Sequence, residues 1–178
     1  MLKPSQSFKV VAYIDARFTM HNDGKSHTEI IKFVGGVAVY CASRKQKCVS
    51  KSPTEAELVA LSDNIGFVDL FQEFLSFVTN SNIEMPLIYQ DNTFVISLVT
   101  LGGGIKRTKY MRSGVFLVME SLKAKRAKIR YVHTSGMIAD GLTKPIDGRD
   151  FDYFGHQDLG GCRKVNRWAL NEMRFMTR

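Results

Sequence analysis

Ser52-Pro53-Thr54-Glu55-Ala56-Glu57-Leu58-Val59-Ala60-Leu61 reads as the start of a long helix. Ser52 precedes Glu55 by the three residues of a capping box. Pro53 takes the first helical position, where its missing amide costs nothing and its fixed φ suits the turn. Leu58, Leu61, Ile65, Val68, Phe71 and Leu75 then recur at helical intervals, and the helix is expected to end near Phe77, before Thr79-Asn80-Ser81-Asn82.

Working outward from this helix, the preceding chain has strand character. Phe8 to Ala16 is rich in β-branched and apolar residues; Ile31 to Cys41 and Lys47 to Lys51 read as two more strands, with Gly35-Gly36 as a bulge. After the helix, Leu87-Ile88-Tyr89 predicts a short buried strand, and Asn92 to Leu101 a helix stopped by Gly102-Gly103-Gly104. A strand feeding a helix implies parallel pairing. Tyr110 to Lys125 predicts a further helix, Lys128 to His133 a strand, and Met137 to Thr143 a short helix halted before Pro145. The expected class is α/β: a β-meander, then parallel strands, in one mixed sheet flanked by helices. Beyond Asp147 the sequence turns polar and irregular, although Lys164 to Met176 has the pattern of a basic amphipathic helix.

The 178 residues suffice for one domain with its own core. With 44% hydrophobic and 24% charged residues the composition is that of a globular protein, and no apolar run is long enough to cross a bilayer. The first residues lack the apolar centre of a secretory signal, so the expected location is inside the cell, cytoplasmic or nuclear. Cys41, Cys48 and Cys162 cannot all pair and lack the spacing of a zinc site, and are read as free thiols. The net charge of +8 implies a polyanionic partner, nucleic acid or an anionic membrane face.

Three carboxylates fall where this layout makes them converge. Asp15 closes the first strand, Asp91 follows Leu87-Tyr89, and Glu57 lies in the first turns of the long helix; a fourth, Asp140, opens the last short helix. Ligands of open α/β sheets gather at the carboxyl ends of parallel strands, where Asp15 and Asp91 belong. Each acid alone is more often a solvated surface group. Four brought together cannot all stay ionised unless cations neutralise them, and hard oxygen donors favour magnesium or manganese. Glu55 and Glu57 are about 200° apart around a helix and cannot face one ion. Glu55 is therefore assigned with Ser52 to the cap, reaching back to the Ser52 amide, and Glu57 to the metal. Lys106, Arg107, Lys109 and Arg112 form a basic cluster after the glycine run; Lys123, Lys125, Arg126, Lys128 and Arg130 form a second, which a solvated face explains equally well.

The segment from Ser43 through Ser52-Pro53-Thr54-Glu55-Ala56-Glu57 to Asp63 resembles the Ser-Thr-Glu-Ala-Glu region of the ribonuclease H domains of copia-type retrotransposons. Tyr13-Ile14-Asp15-Ala16 and Lys25-Ser26-His27-Thr28 upstream are similar to that family too. So are Tyr89-Gln90-Asp91-Asn92, Lys106-Arg107-Thr108-Lys109-Tyr110 and Met137-Ile138-Ala139-Asp140-Gly141-Leu142-Thr143-Lys144-Pro145 downstream. The resemblance implies a ribonuclease H-like fold with a five-stranded mixed sheet over residues 8–146, between an N-terminal extension, 1–7, and a basic C-terminal tail, 147–178.

It further implies two-metal hydrolysis of the RNA strand of an RNA–DNA hybrid during reverse transcription, leaving 5′ phosphate ends. Asp15 would bridge two Mg2+ ions, Asp140 would help hold the nucleophile-side ion, and Glu57 and Asp91 the leaving-group-side ion; Mn2+ is an alternative metal. Asn92, Lys106, Arg107, Lys109 and Arg112 would contact nucleic acid, and the partner would be a reverse transcriptase domain of the parent polyprotein. Pro53 stands where the family has a small polar residue and Cys41 where it has a bulkier one. His133 matches no family histidine, and His21, His27 and His156 read as ordinary surface residues. The competing reading is a catalytically inactive or host-adopted nucleic-acid-binding remnant. An integrase-type enzyme would place a glutamate at Asp140.

Overall fold

The computed structural model describes residues 8–102 and 111–142. Five strands form one sheet: β1 (Val10–Arg17), β2 (His27–Val34), β3 (Val37–Lys45), β4 (Leu87–Gln90) and β5 (Lys128–Tyr131), in the order β3-β2-β1-β4-β5. The first three are an antiparallel meander, and β1, β4 and β5 are parallel. Helices α1 (Pro53–Thr79), α2 (Thr93–Leu101) and α3 (Arg112–Lys123) accompany them, followed by two 3-10 turns, Thr134–Gly136 and Ile138–Leu142. The mixed sheet and helix order are those expected from the sequence.

Period-two alternation sorts the central strand. Val10, Ala12 and Ile14 are buried in the main core with Leu58, Leu61, Ile65 and Val68 of α1. Val11 and Tyr13 face the other way, into a smaller cluster around Ile31, Phe33 and Leu142. The same alternation sends Asp15 to the side of Tyr13.

Four local expectations need correction. Ile31 to Cys41 is not one bulged strand: Gly35 and Gly36 both have positive φ, 56° and 81°, and make the two-residue turn between β2 and β3. The irregularity in pairing lies instead between Lys32 and Phe33. Lys47 to Lys51 is not a strand, because buried Gln46 pins this segment otherwise: its Nε2 donates to Thr28 Oγ1 (3.0 Å) and to the Ala56 carbonyl (2.9 Å), while its Oε1 accepts from Ser50 Oγ (3.1 Å). Ser52 caps α1 by accepting from the Glu55 amide (3.2 Å), but the Glu55 carboxylate accepts from the Lys51 amide, one residue further back than expected. Residues 138–142 wind as a 3-10 turn. Smaller shifts move the end of α1 to Thr79, where Asn80 takes a left-handed φ of 47°, and the end of β5 to Tyr131.

Lys32 is an anomaly of the core. It is 0% exposed on the α1 face of β2; its Nζ has no hydrogen-bond partner among the described residues and sits 3.5 Å from the centroid of the Phe67 ring. Burial, and then the charge of Arg44, pushes its pKa down to about 7, while the ring face, which attracts only the cation, offsets part of this. Between that value and the unfolded value near 10.5 the native state binds fewer protons, so this residue's contribution to stability rises with pH across the window. Lys32→Met is therefore expected to stabilise the domain by about 1–3 kcal/mol at pH 6, with a smaller gain at pH 10. Denaturant unfolding at the two pH values checks this, and a loss of stability at pH 6 would mean that the aromatic contact outweighs burial.

Candidate active site

The parallel pairing of β1 and β4 aligns Tyr13 with Tyr89, whose rings stack at 4.9 Å between centroids. Asp15 and Asp91, each two residues beyond a stacked tyrosine, emerge side by side at the carboxyl ends of their strands. Glu57 comes from the second turn of α1, on its buried side. Asp140 comes from the final 3-10 turn.

The four acids converge on Asp15. Carboxylate oxygens of Asp15, Glu57 and Asp91 all lie within 4.8 Å of one another, and so do those of Asp15, Asp140 and a fifth residue, Glu29. Asp15 belongs to both groups. Asp15 and Glu57 are each only 7% exposed, whereas Asp91 and Asp140 are partly open to solvent.

The polar surroundings hold this arrangement. Fully buried Gln90 donates through Nε2 to Glu57 Oε2 (3.2 Å), and its Oε1 accepts from the amides of Asp91 (2.7 Å) and Asn92 (3.2 Å). Thr134 Oγ1 donates to Asp91 Oδ2 (2.8 Å), and the Ala16 amide donates to Asp15 Oδ1 (2.8 Å). Burial, followed by the charge of Asp15, drives the Glu57 carboxyl up to about 10. Asp15 is raised to about 7, first by burial and then by its contact with Asp140. Buried carboxyls this close must share protons or meet cations. Among the described residues the converging donors are hard carboxylate oxygens, which favours magnesium or manganese.

Other nominated residues fall as follows. Asn92 caps α2, its Oδ1 accepting from the amides of Phe94 and Val95 (both 3.1 Å). Arg112 is exposed at the start of α3. Lys106, Arg107 and Lys109, the segment 1–7 and the tail 147–178 lie outside the described residues. His27 is not an ordinary surface histidine. Its Nδ1 lies 2.9 Å from His21 Nε2 and its Nε2 lies 2.7 Å from Ser43 Oγ, and burial, then the charge of His21, lowers its pKa to about 4.

Glu29 was missed because the second strand was expected to begin only at Ile31. The signal was the meander itself: antiparallel pairing sets Glu29 directly opposite Asp15, on the same face.

No family model matches the chain. It is 26% identical over 160 residues, 88% of its length, to the retrovirus-related Pol polyprotein from transposon RE2 of Arabidopsis thaliana. It is 27% identical over 157 residues to the corresponding polyprotein from transposon RE1 of that plant, and 24% identical over 144 residues to the Ty1-DR5 Gag-Pol polyprotein of Saccharomyces cerevisiae. The chain spans about a tenth of the length of these relatives: 11%, 10% and 8%.

Among solved structures it is similar to the RNase H1 of the halophilic archaeon Halobacterium salinarum, with a TM-score of 0.54 and 17% identity over 75% of this chain and 92% of that one. It is also similar to LC11-RNase H1 in complex with an RNA/DNA hybrid, with a TM-score of 0.54 and 12% identity over the same shares, 75% and 92%. The fold is that of ribonuclease H.

Proposed function

We propose that this chain, a ribonuclease H-fold domain of the retrotransposon Pol class, hydrolyses the RNA strand of RNA–DNA hybrids with two Mg2+ ions, Mn2+ being able to replace them. The observation that carries this reading is the double membership of Asp15 in two carboxylate groups, which suits one ligand shared by a pair of cations. Asp15 would be shared between the two ions, Asp140 would help hold the one on the nucleophile side, and Glu57 with Asp91 would hold the one on the leaving-group side.

When bound there, divalent cations would supply activation of a water on one side and charge compensation for the departing 3′ oxygen on the other. The chain's own contribution is positional. Gln90 fixes Glu57 and the backbone of Asp91 together, and Thr134, from the 3-10 turn after β5, orients the Asp91 carboxylate. Water adding to phosphorus from the Asp140 side, with the bond to the 3′ oxygen breaking on the Glu57 side and the proton lost by the water ending on that oxygen, would leave a 5′ phosphate and a 3′ hydroxyl.

Selection of RNA rests on ribose 2′-hydroxyls, and grip on the hybrid rests on phosphate contacts from Lys106, Arg107, Lys109 and Arg112, with Asn92 beside the site. The hybrid comes from a reverse transcriptase domain of the parent polyprotein, inside the cell.

The test is incubation of the purified chain with an end-labelled RNA–DNA hybrid, a DNA duplex and single-stranded RNA. Cleavage of the hybrid alone, with magnesium and not with chelator, is expected. Salt-sensitive binding with no magnesium-dependent cleavage would mark the chain as an inactive binding remnant instead.

A further inference from the structure

We infer that Glu29 is a fifth carboxylate of the metal centre, serving the cation that Asp15 and Asp140 hold; this rests on the metal-dependent reading above. The register of β1 and β2 pairs Glu29 with Asp15, and directly opposed residues of antiparallel strands project to the same face. Glu29 is 1% exposed, so it is no solvated surface acid, and its carboxylate lies within 4.8 Å of those of both Asp15 and Asp140. Its sequence neighbours Thr28 and Ile30 project to the opposite face, as strand alternation requires.

With Glu29 included the centre becomes symmetrical. Each cation position is faced by three carboxylates, Asp15 common to both: Glu57 and Asp91 on one side, Asp140 and Glu29 on the other. Four carboxylates match the charge of two divalent cations, and the fifth adds one negative charge on the Asp140 side. Ligand charge count tunes divalent affinity, so Glu29 makes that position bind more tightly than Asp15 and Asp140 alone would.

Glu29→Gln keeps the volume and removes the charge. Mn2+ binding to the whole chain, followed by electron paramagnetic resonance, is expected to show one site weakened about tenfold in Glu29→Gln and the other changed less than about twofold. Glu29→Met, which tolerates burial without a polar partner, repeats the measurement should the glutamine variant fold poorly. Wild-type affinity at both sites in either folded variant overturns the inference. Asp15→Asn separates the two levels. Should wild-type protein bind no Mn2+ saturably, the metal-dependent reading itself fails; should Asp15→Asn lose binding while Glu29→Gln and Glu29→Met retain it in full, only the role of Glu29 fails.

Discussion

Asp15→Asn is expected to lower hybrid cleavage by at least about 10³-fold, a loss of ~4 kcal/mol of transition-state stabilisation, while making the cation-free protein more stable. The two effects have one cause. Asp15 stands in both carboxylate groups, so removing its charge weakens both cation positions at once, and with them the activation of water and the stabilisation of the leaving oxygen. In the absence of cations the same charge is a liability, since it lies buried against Glu57 and Asp140 and helps hold Glu57 protonated. Asparagine keeps the shape and can still accept from the Ala16 amide, so a gain of about 1–2 kcal/mol is expected in chelator. Single-turnover cleavage and denaturant unfolding check the two halves. A folded Asp15→Asn protein that cleaves at the wild-type rate would remove Asp15 from the chemistry, and one destabilised in chelator would make it a structural residue.

Cation-free stability should fall as pH rises, and magnesium should abolish the fall. Asp15 and Glu57 titrate at about 7 and about 10 in the folded chain, against 3.8 and 4.5 for the free groups. Between the unfolded and folded values the native state binds more protons than the unfolded state. Their contribution is therefore complete below about pH 4 and is lost as pH climbs through 7 towards 10. Each unit of raised pKa is worth about 1.4 kcal/mol, and between pH 5 and 9 about two units are crossed for Asp15 and about four for Glu57, so a loss of several kcal/mol, up to about 8, is expected. Lys32 acts with the opposite sign above pH 7, so the slope is best read in a Lys32→Met background. Saturating Mg2+ keeps the carboxylates ionised and should leave the profile nearly flat. Unfolding midpoints in chelator and in magnesium provide the check; stability that increases with pH in chelator would mean that these acids are not strained.

Asp91→Asn makes a smaller, related prediction: cleavage is lost while cation-free stability stays unchanged or rises, because Thr134 can still donate to the amide oxygen. A clear drop in cation-free stability, measured by denaturant unfolding, would identify Asp91 as a structural hydrogen-bonding residue.

The parts of the architecture legible in the sequence are those where a local signal and a global requirement coincide. The cap at Ser52 and the apolar spacing from Leu58 to Leu75 define α1, and its early position fixes Glu57 beside the strand ends. Asp15 and Asp91 were legible because each follows a short apolar run, Asp15 near the end of β1 and Asp91 just past the end of β4. The two glycines at 35 and 36 were ambiguous: a bulge and a two-residue turn both use positive φ, and only pairing partners decide between them. That ambiguity hid where the second strand begins and therefore hid Glu29.

Lys47 to Lys51, with Cys48 and Val49 at its centre, reads like a short strand, but the tertiary hydrogen bonds of Gln46 override that reading. The pairing of His21 with His27 had no sequence signal at all, since it depends on the loop between β1 and β2 folding back. The placements of Gln90 and Thr134, which orient the acids, become visible only once the sheet is assembled.

Crystals grown with Mn2+ and a hybrid test the central claim most directly, through the anomalous scattering of the metal. The account predicts two peaks per chain, both in contact with Asp15, one beside Glu57 and Asp91 and the other beside Asp140. A well-ordered structure with no peak among these carboxylates, or with metal bound elsewhere on the chain, would contradict it.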